Sequence, residues 1–442
     1  MTLNSQEMQE LIRDFRIDIQ QSASIMHAPL ASDYIQHLGT KLSSYAQDTS
    51  VHYAFFINNT HEINAFAGPG GTIVINSALI LATHKEDELA AVLAHEIAHS
   101  EQKHWLTDIN RQEKLRVPFI ASTLASLALG VVNPALGSGA LMGSLSGYAQ
   151  NEINHIRSHE EEADRIGIQL LYAAGYNPQG MVDFLKVLET LDQYHDLGNV
   201  PAILLTHPMD EVRVADAQNR VEQLPKKRYA PHPDYFLFKE IIRVLTSSEP
   251  TSLIPYYQKM LLKNPHNAAL HYGYALTLMK ALKWDKAETE LKPLIQQSPN
   301  SYYYLLAFSG CELGLKRTQH GLALLASLYN DYSDNLAIIL DYSTALIQFN
   351  DYKKAETVLH DGLREYPQSL VLMGNLAQAQ ARSHQTARAY LTRATMFMQL
   401  GQAREAGIAL QNAKKSVHHD PLLLAQINAQ ITELKKWQRQ QQ

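Results

Sequence analysis

The chain has 442 residues, a formal net charge of −6, 45% hydrophobic and 19% charged residues, and one cysteine. This composition excludes a disordered or collagen-like chain and leaves room for about two to four domains. The acidic balance gives no basic patch for a nucleic acid, and Cys311 alone permits neither an intramolecular disulfide nor a thiolate-bound metal.

The start, Met1-Thr2-Leu3-Asn4-Ser5-Gln6, lacks the basic region and apolar core of a signal peptide, so the chain reads as cytoplasmic or as a mature secreted form. Residues 5–48 read as two helices with a break near His27-Ala28-Pro29. Residues 51–57 and 72–76, rich in β-branched and aromatic side chains, read as strands, with turn chemistry at Gly68-Pro69-Gly70-Gly71. Helices are expected over 77–83 and from 85 to about 116.

Inside the second of these lies His95-Glu96-Ile97-Ala98-His99. Positions i and i+4 share a helix face, so His95 and His99 present two imidazoles to one point, with the Glu96 carboxylate beside them to take a proton from water. The flanks, Leu89-Ala90-Ala91-Val92-Leu93-Ala94, are apolar and small, which implies burial. Two histidines and a glutamate on a buried helix are costly unless a metal or polar partners compensate them.

A catalytic zinc takes three protein ligands and keeps an open fourth position. The next candidate segment is His159-Glu160-Glu161-Glu162-Ala163-Asp164-Arg165, opening a helix over 160–174 that Gly175-Tyr176-Asn177-Pro178 stops. Glu160 and Asp164 share a face: Glu160 can bind the metal while Asp164 accepts the free N–H of a ligand histidine. His155 and His159, also at i and i+4, are a rival pair, and a solvated acidic helix start is the plain alternative.

Between the two motifs runs an apolar insertion, about 115–150. Its stretch 117–132 is short of the roughly twenty residues that span a bilayer. A buried hairpin, a lid or membrane-contacting segment, and a true span are the readings it permits. Helices over 179–194 and 210–224 complete a first domain, 1–232, with 225–233 as the linker.

Residues 233–442 repeat. Trp284, Ala287, Leu291 and Pro299 return 68 residues later as Tyr352, Ala355, Leu359 and Pro367, and 68 is twice the 34-residue tetratricopeptide period. Between them Gly321 and Leu325 match, while Thr318 and Ser333 replace the aromatic and the proline. A later unit, Ala394, Phe397, Gly401, Ala406, Leu410 and Ala413, is offset by 51 residues, which is 34 plus 17 and suggests one extra helix. The periodicity of 235–263 adds a helix pair at the front. About four repeats are expected, stacked into a solenoid with a concave binding face. The fold class is therefore mainly α (α+β): a helical peptidase domain with a small sheet, followed by an α-solenoid.

Taken together, the chain resembles the HtpX-like zinc metallopeptidases that carry tetratricopeptide repeats. The resemblance rests on His95-Glu96-x-x-His99, on Glu160-Glu161-Glu162-Ala163-Asp164-Arg165-Ile166-Gly167, on Asn64-Ala65-Phe66, on Leu204-Leu205-Thr206-His207-Pro208 and on Val214-Ala215-Asp216-Ala217. It implies one Zn2+ held by His95, His99 and Glu160, Glu96 as general base, and Asp164 in the site, as a proton donor or, on physical grounds, as the partner of a ligand histidine. It also implies that His207 occupies the open position and keeps the enzyme latent. An edge strand beside the metal would pair with extended substrate, and 72–76 is the expected strand, a core strand being the alternative.

The resemblance further implies a periplasmic location and unfolded or stalled outer-membrane β-barrel proteins as substrates. The barrel-assembly machinery would be the partner of the repeat domain. A chaperone or adaptor with a mostly silent peptidase, and a membrane-surface peptidase anchored by 117–147, are the competing functions.

Overall fold

The computed structural model describes residues 5–103, 149–193, 201–209 and 212–440. They fall into two compact units, Met1–Glu249 and Pro250–Gln442.

In the first unit, helices α1 (Ser5–Gln21) and α2 (Pro29–Ser43) precede a three-stranded sheet of β1 (Ala54–Asn58), β2 (Ala65–Gly68) and β3 (Thr72–Asn76). The order is β1-β3-β2, with β1 parallel and β2 antiparallel to β3. The expectation that 72–76 forms the substrate-pairing edge is thereby overturned. β3 is hydrogen-bonded on both sides, and every residue in it is buried. Thr72-Ile73-Val74-Ile75-Asn76 does not alternate apolar with polar, and a run without alternation is what a strand covered on both faces needs. Among the described residues the two edges are β1, part-covered where Ile25 bridges Asn58 and the Met26 N–H donates to the Ile57 carbonyl at 2.8 Å, and β2. The link from β2 to β3 is a tight turn in which Gly70 and Gly71 take φ of 66° and 77°, a region that favours glycine.

Helices α3 (Ser77–Ala82) and α4 (Glu86–Glu101) follow. α4 ends well short of residue 116, because Lys103 turns into the left-handed region at φ 54°. The apolar insertion falls almost wholly within 104–148, outside the described residues, and its three readings lie there with it. No described helix is long and apolar enough to cross a membrane. Then come α5 (Ala149–Ala174, starting before the expected residue 160), α6 (Gln179–Gln193), the short α7 (Ala202–Thr206), α8 (Arg213–Gln223) and α9 (Asp234–Thr246).

The unit boundary lies one helix beyond residue 232 because α9 packs on the first core. Phe238 stacks on Tyr34 with ring centroids 4.2 Å apart, and the buried Tyr235 hydroxyl meets Thr83 Oγ1 at 2.7 Å and donates to the Thr83 carbonyl at 2.9 Å.

The second unit begins with α10 (Leu253–Lys263). Four helix pairs follow: α11 (Ala268–Lys280) with α12 (Trp284–Gln297), α13 (Tyr302–Gly314) with α14 (Thr318–Asp331), α15 (Leu336–Gln348) with α16 (Tyr352–Glu365), and α17 (Leu370–Arg382) with α18 (Thr386–Gln399). Local chemistry repeats with them. Asn267, Asn335 and Ser369 cap α11, α15 and α17 by accepting the N–H three residues on. Leu282, Lys316, Asn350 and His384 each turn the chain between paired helices at positive φ.

Ala287, Gly321, Ala355 and Ala389 are buried at the same place in each pair, so the unit containing Thr318 and Ser333 packs like the others. Ala389 keeps the frame, and the 51-residue offset arises because Ala406 lies one helix further, on α19 (Ala403–Ser416), which α20 (Pro421–Gln440) follows.

Candidate metal centre

The centre is built where α4 crosses α5. All of α4 from 89 to 98 is buried, and Ala90, Ala91, Ala94 and Ala98 keep its surface low. The facing position on α5 is Gly167, where a Cβ would sit 3.3 Å from His95 N and 2.7 Å from Met181 Cε. Glu160, Asp164 and Gly167 lie at i, i+4 and i+7, on one face of α5. The close approach at Gly167 therefore also delivers two carboxylates to the imidazoles of α4. The third contributor is the segment after α7, which carries His207.

Ligand atoms of His95, His99, Glu160 and His207 lie within 4.8 Å of one another. His95 Nε2 is 2.9 Å from His99 Nε2 and 3.3 Å from His207 Nδ1. Glu160 places Oε2 3.3 Å from His95 Nε2, Oε1 3.2 Å from His99 Nε2, and both oxygens 3.2 Å from His207 Nδ1. A tetrahedron with bonds of about 2.0–2.1 Å has edges of about 3.3–3.4 Å, so these spacings are those of ligands around one small ion.

The charges give an independent test of fit. Glu96, Glu160 and Asp164 are buried carboxylates, and Arg213, 3% exposed, is the one guanidinium that meets them among the described residues. With neutral imidazoles the sum is −2, which a divalent cation cancels. Protons take that part otherwise. Burial opposes a charge on His95, but hydrogen bonds to Asp164 and Glu160 outweigh it and push it up to about 10. His207 is likewise raised, by Glu160 and Glu96 against its burial. His99 is held down at about 3, chiefly by burial. Burial also opposes charge on Glu160, yet His207 and His99 hold it well below the carboxylate range.

Glu96 stands beside the ligands. Burial raises its pKa, against the pull of His207 and His95 and a backbone hydrogen bond from Ala67. Its Oε1 is 3.5 Å from His207 Nε2, while Oε2 is buried without a hydrogen-bond partner among the described residues. Asp164 accepts from His95 Nδ1 at 2.9 Å, and a guanidinium fork from Arg213 occupies both its oxygens, NH2 on Oδ1 at 3.0 Å and Nε on Oδ2 at 2.9 Å. That is the place of a residue that fixes a ligand's tautomer and ring orientation. Burial opposes its charge, but Arg213 and His95 keep its pKa low.

The structure thus brings together His95, Glu96, His99, Glu160, Asp164 and His207. Of the rival pair, His159 is absent from the ligand set among the described residues, and the His155 side chain lies outside them. Two features were missed. Arg213 is one residue before the motif Val214-Ala215-Asp216-Ala217, and nothing in its neighbours marks it as buried. The other is the β2 edge. Asn76 N–H donates to the Asn64 carbonyl at 2.9 Å, which fixes the phase of the ladder. Ala65 and Ala67 fall at non-bonded positions opposite Ile75 and Ile73, so their backbone groups point away from β3: the Ala65 N–H donates to Asn64 Oδ1 at 2.9 Å and the Ala67 N–H to Glu96, which leaves the two carbonyls on that side.

Comparison with known proteins agrees with this geometry. A sequence profile of peptidase family M48 matches residues 29–221, and a tetratricopeptide-repeat profile matches 254–307. The chain is 33% identical over 417 residues to the beta-barrel assembly-enhancing protease of Yersinia pestis, covering 94% of this chain and 85% of that protein. The protein of the same name from Escherichia coli K12 is 32% identical over 438 residues, 98% of this chain and 88% of its own length. A mitochondrial metalloendopeptidase of Schizosaccharomyces pombe is 28% identical over 168 residues, 37% of this chain and 45% of its own length. The chain belongs to peptidase family M48, as a metallopeptidase unit followed by tetratricopeptide repeats.

Proposed function

We propose that the protein is a zinc metalloendopeptidase of the bacterial periplasm. It cleaves unfolded or stalled outer-membrane β-barrel chains and is kept latent by His207. The observation that carries this reading is the convergence of four ligand atoms beside a buried, half-unpartnered glutamate. Three imidazole nitrogens and one carboxylate in the four-ligand set favour zinc over the oxygen-seeking magnesium and calcium. When bound, zinc supplies Lewis acidity, polarising the scissile carbonyl and lowering the pKa of water.

The chain's own residues do the rest. His95, His99 and Glu160 hold the ion, and Asp164 locks the His95 ring through Nδ1. Glu96 takes a proton from the attacking water and passes it to the departing amine, a task helped by a pKa raised toward the working range. β2 receives the substrate as an added strand, with the Ala65 and Ala67 carbonyls accepting substrate N–H groups. Backbone pairing gives affinity with little sequence preference, which suits clients made of unpaired strands. The two bacterial relatives are named for enhancing β-barrel assembly, which favours such clients, and the repeat unit is then the docking face for the barrel-assembly machinery.

His207 completes the ligand set, so it must leave before substrate enters. The same contact favours a second reading, a chaperone or adaptor of outer-membrane assembly with a mostly silent peptidase. Glu96→Gln separates chemistry from metal binding. The variant is expected to keep one zinc per chain and lose cleavage of an unfolded barrel protein by about 10²–10⁴-fold or more. Retained cleavage by the purified variant would sink the assignment.

A further inference from the structure

Arg213 is a buried cation whose hydrogen bonds do not all go to carboxylates. Nε and NH2 grip Asp164 at 2.9 and 3.0 Å, and NH1 reaches Glu160 Oε2 at 3.1 Å. The same NH1 donates to the Pro208 carbonyl at 2.9 Å, one residue after His207. The arm that carries His207 has few other ties among the described residues. Ile203 N–H donates to the Ile63 carbonyl at 3.2 Å and Thr206 Oγ1 meets Asn64 Oδ1 at 3.2 Å, both at the approach to β2. Beyond them Ile203 and Leu204 are buried, and the His207 ring sits among the ligands.

We infer that Arg213 is a positioning residue that latches the His207 arm shut through the Pro208 carbonyl. The inference rests on the reading of His207 as a reversible fourth ligand. The geometry makes the latch separable from the ligand frame. The fork on Asp164 stays when the arm swings away, so His95 keeps its orienting partner while NH1 gives up Pro208. A lysine keeps a positive charge beside Asp164 and Glu160 but, lacking the guanidinium's spread of donors, cannot at the same time reach the Pro208 carbonyl.

The test is hydrogen–deuterium exchange and cobalt-substituted absorption of the full chain, as wild type, Arg213→Lys, Arg213→Gln, His207→Ala and the His207→Ala/Arg213→Lys double variant. In Arg213→Lys, amides of 203–207 are expected to exchange about tenfold faster or more, the effect of losing one charge-assisted hydrogen bond. Protection of α4 and α5 stays at the wild-type level, and the cobalt spectrum moves toward that of His207→Ala. The double variant cleaves no faster than His207→Ala. Wild-type exchange of 203–207 in Arg213→Lys overturns the latch. So does equal loss of protection in α4 and α5 in both Arg213 variants, which marks a merely structural role. If His207→Ala leaves the cobalt spectrum unchanged, the fourth-ligand reading fails, and the latch falls with it for that separate reason.

Discussion

In the repeat array, position is set by neighbours in sequence; in the metal centre, it is set by segments far apart. Three of the four helix pairs open with a helix capped by its own Asn or Ser, each pair is turned by a residue at positive φ, and each is packed through a small residue every 34 positions. The centre instead gathers α4, α5, the arm after α7 and the head of α8, and it holds three carboxylates that none of these could bury alone. A local error in the array should therefore cost little and stay local, whereas one in the centre should spread through its charges.

The sharpest division is chemical. Glu96→Gln removes turnover, by the margin given above, without moving the unfolding midpoint of either unit. Next is removal of the ion. Stripping the ion with a chelator removes its binding energy while protons on the imidazoles take over its charge, so α4 and α5 are expected to lose about 4 kcal/mol of protection relative to protein held at about 1,000 times the metal Kd, while α11–α18 keep theirs. Exchange that fell equally in both units would break the comparison.

Protons give a third measure. His95, held up to about 10, carries a proton near neutral pH when no ion is bound, and the raised His207 carries more of one than a free imidazole. Ligand histidines must be neutral to bind, so zinc loading should release between about one and two protons, and affinity should rise by about tenfold to a hundredfold per pH unit. Titration calorimetry in two buffers of different ionisation enthalpy counts them directly. Uptake or no release would contradict the charge account.

The smallest effects are the most diagnostic, because one substitution should act with opposite sign in the two units. Gly167→Ala forces a Cβ against His95 N and Met181, an overpacking expected to cost about 1–3 kcal/mol and to weaken zinc binding. In Gly374→Ala, on α17, the new Cβ meets nothing within 4 Å, and the gain in helix propensity should stabilise the array by about 0.5–1 kcal/mol. Chemical denaturation of the two variants reads both.

The same contrast explains what was legible in the sequence. The array announces itself because Ala287 and Ala355 do identical work at identical spacing. Even the unit around Thr318 follows, since Gly321 and Leu325 carry the packing. In the centre, the pairs on one helix face, His95 with His99 and Glu160 with Asp164, are readable from the 3.6-residue turn alone. His207 is not: a histidine before a proline has no pattern of its own, and only resemblance singled it out. Arg213 is invisible for a stronger reason, because its burial depends on carboxylates 49 and more residues away that no local pattern connects to it. The strand error has the same root. β-branched richness marks 72–76 as a strand, but whether a strand is central or at an edge depends on which other strands pair with it.

The central claim is that a metal centre with Glu96 as base is closed by His207. The most direct measurement is cleavage of an unfolded outer-membrane barrel protein by zinc-loaded wild type, His207→Ala and His207→Ala/Glu96→Gln, side by side. The account predicts His207→Ala about tenfold or more above wild type, the factor for one ligand contact of about 1.4 kcal/mol removed from the closed state, and no cleavage by the double variant. Equal rates for wild type and His207→Ala, or cleavage that survives loss of Glu96, would contradict it.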